Sequence, residues 1–92
     1  MNPAHPIEIL CDRHAIPILM FLNENGPCLK TAVYNGVSRS LSISDKLDGL
    51  EEAGLIVQDP SPNGMTVTIS LSAFGEDVTE RLFEIDRMLA EQ

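Results

Sequence analysis

Between Met65 and Leu71 apolar and polar side chains alternate without exception, with Met65, Val67, Ile69 and Leu71 on one side and Thr66, Thr68 and Ser70 on the other. A period of two is the signature of a strand with one buried face. Upstream, Leu55-Ile56-Val57-Gln58 is a short β-prone run, and Asp59-Pro60-Ser61-Pro62-Asn63-Gly64 lies between the two runs. That spacer is dense in residues that pre-set or tolerate turn backbone, so the runs are predicted to close as a β-hairpin with a tip of about six residues. The rest of the chain reads as helix on both sides of it.

Pro6 to Leu22 places Ile7, Leu10, Cys11 and Ile18 at three- and four-residue spacings among Glu8, Asp12, Arg13 and His14, which is helical periodicity. Pro17 has no amide hydrogen, so either a helix restarts near Asp12 to His14 with Pro17 in its first turn, or one helix kinks there. Asn23-Glu24-Asn25-Gly26-Pro27 ends this segment. A short helix is predicted from about Leu29 to Tyr34, broken by Asn35-Gly36. A longer one follows, capped by Ser38, Ser40 or Ser42, with Ile43, Leu47 and Leu50 on one face and Gly54 as a left-handed C-cap. Short helix, tight turn and longer helix make a helix-turn-helix. From Ser72 to about Ala90 a final helix carries Val78, Leu82, Ile85 and Leu89 at steps of four, three and four, a heptad-like seam.

At 92 residues the chain is one small module, too short for an enzyme with a cleft between two domains. Three Phe, one Tyr and no Trp give a modest core, so burial against a second copy is expected. The net charge of −8 is unevenly placed: residues 1–46 are neutral, while residues 47–92 carry ten carboxylates against Arg81 and Arg87. Such acidity argues against a protein that wraps a polyanion or lies on a membrane through charge alone. Cys11 and Cys28 lack CxxC spacing, which fits reduced thiols in a cytoplasmic protein better than a disulfide scaffold. No signal peptide or membrane span is read, the longest apolar run being Ala15 to Leu22. No catalytic fingerprint, cofactor motif or metal-ligand spacing is present, so the sequence implies no enzyme, no cofactor and no metal.

The residues themselves carry a family resemblance. Leu47-Asp48-Gly49-Leu50-Glu51-Glu52-Ala53-Gly54-Leu55-Ile56 is similar to the L-x-x-L-E-x-x-G-L-I of HxlR/MarR-type winged-helix transcription regulators, which ends the recognition helix and enters the wing. Thr68-Ile69-Ser70-Leu71-Ser72-Ala73-Phe74-Gly75 resembles the family's Y-S-L-T-x-x-G, and Asn25-Gly26-Pro27 its G-P after the first helix. The resemblance covers roughly residues 12–90. Asp12-Arg13-His14 departs from the Gly-Lys-Trp of HxlR-type members, and Asp48 stands where a basic residue is common. The segment Asp59 to Thr66 holds no Lys or Arg, unlike a usual family wing.

The expected fold is therefore mainly α with a small β-hairpin: one winged helix-turn-helix domain over residues 1–92 with a C-terminal dimerisation helix. Its parts are a first helical segment (7–25), the helix-turn-helix (28–54), the wing (55–71) and the closing helix (72–91). The resemblance implies a sequence-specific regulator that binds double-stranded DNA as a homodimer. The helix from about Ser40 to Ala53 would enter the major groove, which singles out Arg39, Ser40, Ser42, Asp45 and Lys46, with Lys30 on the flanking backbone and any wing contact made by Asn63 or Thr66. Three cations per protomer would neutralise about six phosphates in a dimer, removing roughly three decades of affinity between 50 and 200 mM salt. Val78, Leu82, Ile85 and Leu89 are the expected dimer interface, and no small-molecule effector is named by the sequence. The competing expectation is a winged helix used for protein contact, its acidic surface docking on a basic partner without DNA.

Overall fold

The computed structural model describes residues 5–37 and 43–92. Pro6–Cys11 forms a 3-10 helix, and α1 spans Ala15–Asn25. Of the two alternatives left open at Pro17, the helix restarts. Pro17 lies in the first turn of α1, where backbone amides have no intrahelical acceptor and a missing one costs nothing. Asp12 prepares the restart by accepting the His14 N–H on Oδ1 at 2.9 Å.

Cys28–Leu29 forms β1, pairing Cys28 with Ile69 and Leu29 with Thr68, before α2 spans Lys30–Gly36. The third strand corrects the reading of Leu29 as the start of a helix: two residues carry no periodicity, and their partner is distant in sequence. The Asn35-Gly36 pair forms the last two residues of α2, which runs two residues beyond the expected end at Tyr34 and stops at Gly36. Gly36 serves close packing instead, since a Cβ there would fall 2.2 Å from Cε1 of Phe21.

α3 spans Ile43–Glu52 and buries Ile43, Leu47 and Leu50, the row the spacing predicts. Its end is a Schellman motif. Leu55 N–H bonds Leu50 O at 3.0 Å and Gly54 N–H bonds Glu51 O at 2.9 Å, with Gly54 at φ 82. Leu50 and Leu55, the apolar pair that accompanies such a motif, are both in the core.

β2 (Ile56–Pro60) and β3 (Val67–Leu71) form the hairpin, and the antiparallel sheet has the order β1-β3-β2. Register runs from Ile56↔Leu71 to Pro60↔Val67, so Asp59 and Pro60 belong to the strand and the tip is shifted to 61–66. Pro60 is tolerated because β2 is an edge strand and its missing donor breaks no ladder. Ser61 N–H bonds Thr66 O at 2.9 Å and closes the tip. Met65 therefore falls outside the strand and is 79% exposed, against the expectation that it shares the buried face of Val67, Ile69 and Leu71.

α4 spans Ala73–Ala90 with Ser72 as its N-cap, its Oγ accepting from Gly75 N at 2.9 Å. The core joins Ala15, Ile18, Leu19 and Leu22 of α1, Val33 of α2, the α3 row, Leu55, Ile56 and Ile69. One face of the sheet is covered by helices and the hairpin extends from the edge of that core. The expectation of a mainly helical winged helix-turn-helix holds, with a three-stranded sheet in place of a bare hairpin.

Candidate nucleic-acid interface

Two sequence motifs meet at one joint. Ser72 donates from its Oγ to Gly54 O at 2.6 Å, and its N–H bonds Leu55 O at 3.0 Å, so the Schellman corner that ends α3 is tied to the start of α4. Gly75 is pressed against the same corner: a Cβ on it would lie 1.9 Å from Leu55 O. The L-E-x-x-G-L-I and L-S-x-x-G stretches are thus two halves of one contact, holding α3 at a set angle to α4.

α3 presents three distinct faces besides its core row. On one flank Ser44 accepts from Lys30 Nζ at 2.9 Å, bridging α2 to α3, and on the same side Glu51 accepts from Gln58 N at 3.1 Å. Gln58 Nε2 also donates to Asp48 Oδ1 at 2.9 Å, so the wing strand β2 is fastened to the second half of α3. On the other flank Lys46 Nζ donates to Asp12 Oδ2, both side chains half-buried. The outward row is Asp45, Asp48 and Glu52, all exposed carboxylates. Asp12 has its carboxyl held below the usual carboxylate range, chiefly by the Lys46 hydrogen bond and next by the His14 N–H.

The wing tip uses its polar groups internally. Asn63 Oδ1 accepts from Ser61 Oγ at 2.6 Å and from Met65 N at 3.0 Å, and Thr66 N donates to Ser61 Oγ at 3.2 Å. What projects is the Met65 side chain.

A scan of family models returns no match, and neither does a search of curated proteins. Solved structures do match. They include AbfR bound to DNA (TM-score 0.70, 20% identity, covering 86% of this chain and 62% of that one) and NadR in complex with 4-hydroxyphenylacetate (0.73, 30%, 92% and 66%). A MarR-family regulator from Porphyromonas gingivalis W83 aligns over all of this chain and 97% of its own, with TM-score 0.78 and 20% identity. The fold is that of the MarR-type winged-helix regulators. The chain spans less than two thirds of the length of the AbfR and NadR chains.

Within this winged helix the expected contact residues are distributed as follows. Arg39, Ser40 and Ser42 lie outside the described residues. Lys30 lies where α2 meets one flank of α3, Lys46 lies on the opposite flank against Asp12, each with an intramolecular partner, and Asp45 is in the outward row between them, while Asn63 and Thr66 sit at the wing tip. Sequence reasoning missed Ser44 and Asp12, which hold the two lysines. Neither had a local signal, because both pairings join residues on different elements, Lys30 of α2 with Ser44 of α3 and Asp12 with Lys46.

Of the expected seam, Val78 and Leu82 pack partly against the protomer's own core, whereas Ile85, Met88 and Leu89 are 50%, 70% and 64% exposed. From Glu84 onward every residue of α4 is exposed. Beside α4, a groove of about 570 Å³ opens between Ile7, Ile9 and Leu10 of the 3-10 helix and Phe74, Val78 and Ile85. Among the described residues no group of three His, Cys, Asp or Glu side chains is placed to hold a metal, and no helix is long and apolar enough to cross a membrane. Cys11 and Cys28 are unpaired, and burial pushes the Cys28 thiol up.

Proposed function

We propose that the protein is a DNA-binding transcription regulator that acts as a homodimer. The observation that carries this reading is the α2–α3 pair flanked by a β2–β3 wing, in the arrangement shared with AbfR, a chain solved on DNA. In a helix-turn-helix the second helix enters the major groove, which assigns base contacts to Asp45 and to Arg39, Ser40 and Ser42, just ahead of α3 in the sequence, and phosphate contacts to Lys30 and Lys46. Asn63 Oδ1 and the Thr66 backbone are engaged within the tip, and residues 59–66 hold no Lys or Arg, so the wing contributes no positive charge.

The second half of α4 supports the dimer. Helix length alone does not stabilise exposed turns bearing Ile85, Met88 and Leu89; burial of that face does. The apolar groove beside the 3-10 helix is continuous with it, so a second copy laid antiparallel would cover both at once. A two-fold dimer then places two α3 helices on a palindromic site with half-sites about one helical turn apart.

The outward carboxylates Asp45, Asp48 and Glu52 favour a second reading, in which this face contacts a basic protein instead of DNA. A gel shift on genomic fragments at 50 mM salt separates the two. Binding that weakens steeply with salt, with Arg39→Ala relaxing sequence preference at a cost of about 1 to 3 kcal/mol and Lys30→Ala weakening all sequences alike, supports the regulator. No shift across the library, with Arg39→Ala abolishing capture of a protein partner, would replace it.

A further inference from the structure

At the joint between the N-terminal segment and α3, one of the lysines assigned to a phosphate above already has an anionic partner. Asp12 stands there on a fixed backbone, between the 3-10 helix and α1, with Oδ1 on the His14 N–H and Oδ2 on Lys46 Nζ. Lys46 is the single basic residue in the Ile43–Glu52 sequence, so the only cation α3 carries is engaged by a carboxylate from another element. Both side chains are half-buried, and a pair in that setting is screened less than one in open solvent. A phosphate approaching α3 thus meets an ammonium already neutralised, beside an outward row of three carboxylates.

We propose that Asp12 is an intramolecular competitor of the DNA backbone: it occupies Lys46 in the free protein, and α3 gains its phosphate contact only when that pair opens. The proposal rests on the regulator reading. Lys46 exchanges one anion for another on binding, so it adds little net affinity and little to the counterions released, and grip is traded for discrimination between sites. The Asp12 carboxylate acts as a brake built into the scaffold.

The test compares wild type with Asp12→Asn, Asp12→Ser and Glu24→Gln by fluorescence anisotropy on a labelled mixed-sequence duplex in 50 to 200 mM KCl. Serine keeps an acceptor for the His14 N–H, so it isolates loss of charge from loss of the turn; Glu24→Gln makes the same charge change at an exposed site away from Lys46. Both Asp12 variants are expected to bind several-fold tighter at 50 mM and to steepen the salt slope by about 0.9 per protomer, and Lys46→Ala in the Asp12→Ser background should remove that gain. Acetic anhydride labelling of the free protein, read by peptide mass spectrometry, should modify Lys46 faster relative to Lys30 in the Asp12 variants than in wild type. Asp12 variants that fold but bind no more tightly than Glu24→Gln, or label Lys46 at the wild-type rate, overturn the proposal while leaving the regulator reading intact. Absence of DNA binding by every protein, wild type included, defeats the regulator reading itself.

Discussion

Gly75 and Gly54 touch the same backbone corner for different reasons, and substitution separates them. A methyl group at Gly75 would sit 1.9 Å from Leu55 O, an atom held by the Ser72 N–H, so α4 must shift as a whole. Gly75→Ala is expected to cost about 3 kcal/mol or more, as severe overpacking against backbone does. Gly54 has open space around it but sits at φ 82, so Gly54→Ala should cost only about 1 to 2 kcal/mol, the penalty for a side chain in left-handed backbone. Urea unfolding of the two variants gives the order, and a milder effect at Gly75 would refute the close approach. Asp12 adds a pH dependence with a definite sign. Its carboxyl is held down in the folded state, so its pairing stabilises the fold above the ordinary carboxylate range near about 3.9 and is lost as pH falls through the lower folded value. The stability difference between wild type and Asp12→Asn, followed by urea midpoints, should be constant at neutral pH and shrink only below about pH 4.

At the scale of elements, α4 divides into two halves with different duties. Ala73 to Leu82 is anchored by the Ser72 cap, by Gly75 and by Thr79, which is fully buried and donates from Oγ1 to Gly75 O at 2.7 Å. Beyond Phe83 the helix leaves the body. Leu82 belongs partly to the protomer core, so a charge there would confuse folding with assembly, whereas Ile85 and Leu89 do not. Ile85→Glu with Leu89→Glu is expected to give a folded monomer in sedimentation at micromolar concentration, with helicity lost only from the last turns of α4 by circular dichroism. A dimer that survived the pair of changes would place the interface elsewhere. The α3 row answers to the protomer alone: Leu47→Ala should destabilise by about 2 to 5 kcal/mol, the range for deleting a fully buried leucine side chain.

For the whole molecule, on the regulator reading proposed above, the −8 net charge and the way its cations are held would limit how tightly DNA is gripped. Lys30 keeps a neutral partner in Ser44 and remains charged toward a phosphate, whereas Lys46 is neutralised by Asp12. With Lys30 and Arg39 of each protomer engaged, about four phosphates are neutralised, and affinity should fall roughly two decades between 50 and 200 mM salt, against about three if Lys46 were free. Anisotropy titrations across that range measure the slope directly. A slope near six contacts in wild type would mean that Asp12 offers no competition.

Local pattern was enough for most of the fold. Periods of three and four set the α3 row and α4, strict alternation located β3, and Ser72 and Gly54 marked caps that the structure uses as caps, whereas of the first row, Ile7, Leu10, Cys11 and Ile18, only Ile18 lies in α1 and the other three in the 3-10 helix. These features depend on neighbours within a turn of helix or a few residues of strand, which a linear sequence displays. What the tertiary structure alone decided involves residues far apart in the chain. β1 exists because Cys28 and Leu29 meet Ile69 and Thr68, and position 36 is held to glycine because the Phe21 ring needs the space. Lys30 and Lys46, counted alike as cations that neutralise phosphates, were made unequal by Ser44 and Asp12. The seam of α4, uniform as a pattern, was split into a half that packs at home and a half left exposed, because a helix repeats its faces along its length while the body it packs against ends.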